Sequence, residues 1–216
     1  WDDRLAMMMS EFDTEAAARL AEEGGEAAVT PTLATLVSDP NILGARFLEP
    51  GIAKTDRTAF PPVGYAVLEM VRKAEADGST PGPEVHYFGS EQQQIAVLTP
   101  LRSGEKVVGH VLSAVNTDVL GGIVGTIVGT GNPDYVELQQ PVSGAAALVL
   151  ARTGDRAKRN GAPGFSAPVP RTPWRLMVWS GPAVTAATAS ADASLPIAPI
   201  AGGVAVVVLG VAGFFW

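Results

Sequence analysis

Apolar residues recur at three- and four-residue steps near the start of the chain. Leu5, Met8, Met9, Phe12, Ala16 and Leu20 form a stripe, and Asp13, Glu15, Arg19, Glu22 and Glu23 take the other side. That period predicts an amphipathic helix over residues 3–23, with its methionines as core or helix–helix contacts. Gly24-Gly25 predicts a break or a kink in this helix. Thr30 then reads as an N-cap, Pro31 as the first helical residue, and Leu33, Leu36 and Val37 as the apolar face of a restarted helix. Asp39-Pro40-Asn41 ends it, and a loop is expected through Glu49-Pro50-Gly51. Phe60-Pro61-Pro62 leads into a second helix over about 63–77, with Tyr65, Leu68, Val71 and Ala74 or Glu75 on one side. Residues 77–83 are a Gly- and Pro-rich loop.

Beyond that loop the period falls to two. Strands are expected over residues 85–88, 94–99, 107–115, 135–140, 146–151 and 174–179. Ser90-Glu91 and Arg102-Ser103-Gly104-Glu105 read as hairpin turns, which makes the first three strands antiparallel neighbours. Asp118 caps a short helix to about Val128, whose Gly121, Gly125 and Gly129 fit neither a dinucleotide-binding loop nor a P-loop. Residues 152–173 read as a basic, Gly- and Pro-rich linker. The expected fold class is α+β: N-terminal helices packed on one five- or six-stranded antiparallel sheet. Residues 1–59 form a helical region that makes one unit with an α+β domain over 60–180.

The strongest apolar run closes the chain. Residues 195–216 carry no charge, and the last charged residue before them is Asp192. About 20 helical residues span the roughly 30 Å hydrocarbon core of a bilayer, so a transmembrane helix is expected here, entered through a small, polar stalk over 181–194. Phe214, Phe215 and Trp216 suit a membrane–water interface. The chain opens on Trp1 with no signal peptide, and Trp1 reads as the interfacial end of a first membrane helix.

Composition narrows the chemistry. The net charge is -7, which argues against nucleic acid and against an anionic membrane surface as partner. It suits a domain outside the cytoplasm. With no cysteine there is no disulfide, no thiolate nucleophile and no Cys-based zinc site. His86 and His110 stand alone in predicted strands without a third ligand. No His-Glu-x-x-His, Gly-x-Ser-x-Gly or acidic metal loop occurs. A ligand cleft is the better expectation than a catalytic centre. Its candidate ligand-binding residues are Tyr65, His86, Tyr87, Gln94 and Tyr135, polar-tipped side chains on elements that border the sheet. No catalytic residue, metal or cofactor is expected.

The order of long helix, second helix, antiparallel sheet and exit helix resembles the single Cache (PAS-like) extracytoplasmic sensor domains of bacterial membrane receptors. A narrower resemblance rests on short runs between about 60 and 180. They are Pro62-Val63-Gly64-Tyr65-Ala66-Val67-Leu68-Glu69-Met70-Val71-Arg72-Lys73-Ala74-Glu75, Pro83-Glu84-Val85-His86, Val107-Val108-Gly109-His110-Val111-Leu112, Tyr135-Val136-Glu137-Leu138-Gln139-Gln140, Val149-Leu150-Ala151-Arg152-Thr153-Gly154-Asp155 and Thr172-Pro173-Trp174-Arg175-Leu176. Together these are similar to the N-terminal extension of long, membrane-anchored bacterial phosphomannomutase/phosphoglucomutase proteins. That resemblance implies a periplasmic, non-catalytic part of an inner-membrane protein in an exopolysaccharide or lipopolysaccharide precursor pathway. The mutase's own phosphoserine and Asp-Gly-Asp-Gly-Asp loops are absent, so no catalytic residue carries over. The alternative is the ligand-sensing domain of a chemoreceptor, histidine kinase or cyclase. The expected partners are the lipid bilayer, a small-molecule ligand, and a second copy paired through the N-terminal helix.

Overall fold

The computed structural model describes residues 5, 7, 8, 12–128, 134–160 and 162–180. The expected stalk and transmembrane helix, with Phe214, Phe215 and Trp216, lie outside these residues, as does Trp1. Among the described residues no helix is long and apolar enough to cross a membrane.

The fold class is α+β. Its described elements are α1 (Thr14–Val37), β1 (Ile42–Leu48), α2 (Tyr65–Asp77), β2 (Glu84–His86), β3 (Gln94–Ser103), β4 (Lys106–Val115), α3 (Asp118–Val128), β5 (Tyr135–Gln140), β6 (Leu148–Thr153), β7 (Phe165–Pro168) and β8 (Arg175–Trp179). The strands form two four-stranded antiparallel sheets, ordered β1-β4-β3-β2 and β6-β5-β8-β7. This corrects the expectation of one sheet of five or six strands. Two strands were hidden in the sequence. In β1, Gly44-Ala45-Arg46 interrupts the alternation of Ile42, Phe47 and Leu48, and β7 is a four-residue strand inside the Gly- and Pro-rich linker. The described residues divide into two compact units, those up to 119 with 169–173, and those of 120–168 with 174–180. The division falls inside the stretch 60–180 that the sequence reading kept together.

In the first unit, α1 starts at Asp13, whose Oδ1 accepts from the Ala16 amide at 2.8 Å. As expected, the helix kinks at Gly24-Gly25: Gly25 takes a positive φ of 59°, and the helix continues through Pro31 to Val37. Thr30 is therefore no N-cap: its hydroxyl donates back to the Glu26 carbonyl at 2.8 Å. Glycine tolerates the positive φ that the kink needs, and Pro31 lies inside the helix beyond it.

Strand pairing sorts the first sheet into two faces. Leu48, Leu112, Leu98 and Ala96 share one face by register, and they pack with Val63, Val67, Met70, Val71 and Ala74 around α2. Phe47, Val97, Val111 and Val115 lie on the other face. Helix α1 runs across β1, β3 and β4 and covers that second face. The sheet thus has a helix on each side, which buries both faces of its central strands. The stripe of α2 is Val67, Met70, Val71 and Ala74, one step round from the expected one, and Tyr65 is exposed.

The second unit's sheet puts Val136, Leu138 and Val178 on one face, all buried. Tyr135, Glu137 and Gln139 alternate with them on β5, opposite Trp179, Met177 and Arg175 of β8. Gly154 follows β6 with φ +86°, and a Cβ there would overlap the Asp134 carbonyl, so that turn admits only glycine.

Candidate functional site

Four of the five expected site residues come together in the first unit, at the end of α2 where the helix begins. The helix runs alongside β3 in the same direction. Arg102, near the end of β3, donates to the Gly78 carbonyl just past the end of α2 at 2.6 Å. At the other end, the Tyr87 hydroxyl lies 2.9 Å from where a Cβ on Gly64 would stand. Gly64 is the N-cap of α2, so no side chain caps the first turn. The amides of Tyr65, Ala66 and Val67 have no partner within the helix, since the first intrahelical bond runs from the Leu68 amide to Gly64. The Tyr87 hydroxyl stands where a capping side chain would otherwise be.

Tyr87 reaches that position at a cost. Its φ is +55°, a conformation that disfavours any residue with a Cβ by roughly 1–2 kcal/mol. The β2–β3 hairpin holds it there: Ser90 donates through its amide and its hydroxyl to the Tyr87 carbonyl, and the Gly89 amide donates to Gln93 Oε1. Gln93 in turn donates to Thr117. Strain kept in place by neighbouring bonds is common where a side chain must be presented at one spot.

His86 and Gln94 pair directly across β2 and β3. Register puts both on the face that α2 covers, together with Glu84, Ala96 and Leu98. Gln94 is fully buried, and neither its Oε1 nor its Nε2 has a hydrogen-bond partner. His86 is buried as well. Its Nε2 lies 3.5 Å from Glu84 Oε2, and its ring meets Tyr87 edge-on. Tyr65 begins α2 and is 76% exposed.

The fifth residue, Tyr135, belongs to the second unit, in a different setting. Its hydroxyl donates to Glu137 Oε1 at 2.9 Å, and burial with that carboxylate pushes the phenol above its ordinary range. Glu137 is buried, accepts from Gln139, and pairs with Arg159 Nε at 2.6 Å. The Arg159 guanidinium also sits 5.6 Å from the Trp179 ring centroid. From sequence, Arg156, Lys158 and Arg159 read as a solvated basic loop, and nothing paired Arg159 with Glu137, which stands 22 residues away. Every polar partner in this cluster is satisfied, which is the pattern of a network that holds a sheet together.

Other buried polar groups lie on the first sheet. His110 is fully buried on the α2 face, and both ring nitrogens lack partners. Burial lowers its pKa, with Glu75 opposing and Arg102 adding to the shift. The unfolded chain therefore binds the proton more readily than the folded one. Stability from this group is complete above about 6.5, its ordinary value, and is lost as the pH falls through the lower folded value. The unfolding free energy of the wild type is expected to drop between pH 7.5 and pH 5, by up to about 1.4 kcal/mol for each pKa unit of depression, and the urea midpoint to fall with it. The His110→Leu variant should lose that slope. On the same face, Arg46 pairs with Asp56 at 2.7 Å, and the bonds from Thr58 and Arg46 hold the Asp56 carboxyl well below the usual range.

An open groove of about 510 Å³ lies elsewhere in the unit, between the start of α1 (Thr14, Glu15, Arg19) and the β3–β4 turn (Arg102, Ser103, Gly104). Among the described residues no group of three or more His, Asp or Glu side chains is arranged to hold a metal ion. Compared with known protein families and with characterised proteins, the chain matches no family model and no characterised protein.

Proposed function

We propose that this chain is a non-catalytic, membrane-anchored sensory or regulatory module of a bacterial inner-membrane protein, with its folded part in the periplasm. The parent is of the phosphomannomutase/phosphoglucomutase type, as the short sequence runs imply, and the layout is that of a single Cache domain. The observation that carries the reading is the gathering of Tyr65, His86, Tyr87 and Gln94 around the uncapped start of α2. A four-stranded antiparallel sheet with a long helix on one face and a second helix on the other supports the Cache-like part. The uncharged run 195–216 supports the anchor.

The physical account is a population shift. A ligand bound where α2 meets the β2–β3 hairpin favours one placement of these elements, and it transmits a signal only through unequal affinity for the two states. A panel of sugars, amino acids, organic acids and phosphate esters tests this on the whole chain in detergent. At least one class is expected to raise the melting temperature saturably, since a ligand at 100 times its Kd stabilises by about 2.7 kcal/mol. A flat response across the panel would contradict the sensory reading. The reading frame past Trp216 tests the parentage: phosphoserine and Asp-Gly-Asp-Gly-Asp loops are expected, and a kinase, cyclase or methyl-accepting region would sink the mutase assignment.

A further inference from the structure

We infer that the start of α2 is a binding site for a small oxyanion, a carboxylate or phosphate, held by the first-turn amides, the Tyr87 hydroxyl and the Gln94 carboxamide. The inference deepens the sensory reading and rests on it. Four independent features converge on one end of one helix.

The 13-residue helix α2 begins at a glycine with no side-chain cap. Its first-turn amides and its dipole favour negative charge at that spot, and an oxyanion there satisfies donors that nothing in the helix can. The Tyr87 hydroxyl lies 2.9 Å from where a Gly64 Cβ would stand, so a Ser, Thr or Asp at the N-cap would have to push that ring aside. A free oxyanion takes the part of the capping oxygen.

Gln94 is the second, independent pointer. It lies at the start of β3, the end of that strand nearest the start of α2, and register turns it toward the helix. A fully buried carboxamide with neither polar atom bonded costs the desolvation of both groups, of order 1–3 kcal/mol each. A leucine or methionine would avoid that cost, so the carboxamide has a use beyond packing. Its Nε2 supplies a donor to an anion at the helix start. Tyr87 is the third feature: a strained φ of +55° spent on bringing a hydroxyl to the N-cap. His86, next to Tyr87 and opposite Gln94, is the fourth, a buried imidazole whose ring carries an N–H donor. Glu84, on the same face, is engaged with His86 Nε2 at 3.5 Å.

Val63, Gly64 and Gln94 are all buried, which favours a single small oxyanion group over a large body. The exposed Tyr65 stands at the entrance, where a longer ligand continues into solvent.

The test uses the whole chain in detergent micelles at constant ionic strength, with sodium acetate, inorganic phosphate, ethylammonium chloride and glucose as probes. Melting temperature and the amide resonances of Tyr65, Ala66 and Val67 are followed together. Acetate or phosphate is expected to raise the melting temperature saturably and to move those three amides. Whichever of the two acts at lower concentration identifies the oxyanion. Tyr87→Phe and Gln94→Met keep the packing volume and should each weaken that binding at least tenfold. Equal responses to the anions in wild type and both variants would mean a general salt effect and overturn the inference. Binding of glucose or ethylammonium at the same amides, with no response to either anion, would overturn the oxyanion assignment while leaving the sensory reading standing. Silence from these probes and from the metabolite panel would remove both.

Discussion

Trp174→Ala is expected to cost the second unit about 3–5 kcal/mol, the largest loss from any single truncation in that unit. Trp174 is 2% exposed, immediately before β8, and its indole nitrogen donates to Gln140 Oε1 at 3.0 Å. Removing the indole leaves a cavity that a short-stranded sheet cannot close, and it takes away a bond to a buried carboxamide. Trp174→Phe separates the two effects. It keeps most of the volume and should cost roughly 1 kcal/mol for the lost hydrogen bond, plus a smaller packing term. Urea unfolding followed by far-ultraviolet circular dichroism measures both. Equal midpoints for wild type and the alanine variant would mean that this tryptophan is not part of the unit's core.

Arg159→Ala is expected to cost about 2–3 kcal/mol, less than a fully buried pair would, because the arginine side chain is 46% exposed. The loss falls on its partner. Glu137 is 2% exposed, and without Arg159 its charge is left to Tyr135, Gln139 and the cross-strand Arg152. The charge also leaves the Trp179 ring, over which the guanidinium lies. Glu137→Gln added to Arg159→Ala should recover much of the loss, since the amide oxygen still accepts from Tyr135 and no buried charge remains. A double variant as unstable as the sum of the two single variants would show that the pair does not interact.

The α+β class was legible because the period of the apolar residues changes once, near residue 84, from three or four to two. Strands with clean alternation and a hairpin turn were legible almost to the residue: β5 spans Tyr135–Gln140 as expected, and the β3–β4 turn falls at Gly104-Glu105. The kink at Gly24-Gly25 was legible too, and what misled was Thr30-Pro31: read as a new N-terminus, it lies inside α1, whose buried face of Ala17, Ala18, Val29, Leu33 and Leu36 holds the helix together across it. The second sheet was invisible because pairing between β5 and β8 joins segments some forty residues apart, and no local pattern records that partnership.

The candidate site was half legible. His86, Tyr87 and Gln94 stood out as polar tips beside a hairpin, and a hairpin brings its ends together. That they meet the start of α2 depends on the direction in which the helix crosses the sheet. That Tyr87 takes a positive φ depends on the turn that holds it. Tyr135 looked equivalent by residue type, yet it lies in the second sheet, bonded to a glutamate two residues along its own strand.

The central claim is that the folded part is held outside the cytoplasm by the segment 195–216. The chain has no cysteine, so a single Ser90→Cys substitution at the exposed β2–β3 turn gives one reporter. Intact spheroplasts expressing the protein from its full reading frame are treated with a charged, membrane-impermeant maleimide. Labelling at Cys-substituted position 90 without lysis, on protein that stays with the membrane after alkaline carbonate washing, is the result the account predicts. Labelling only after lysis, or release of the protein by carbonate, would contradict it.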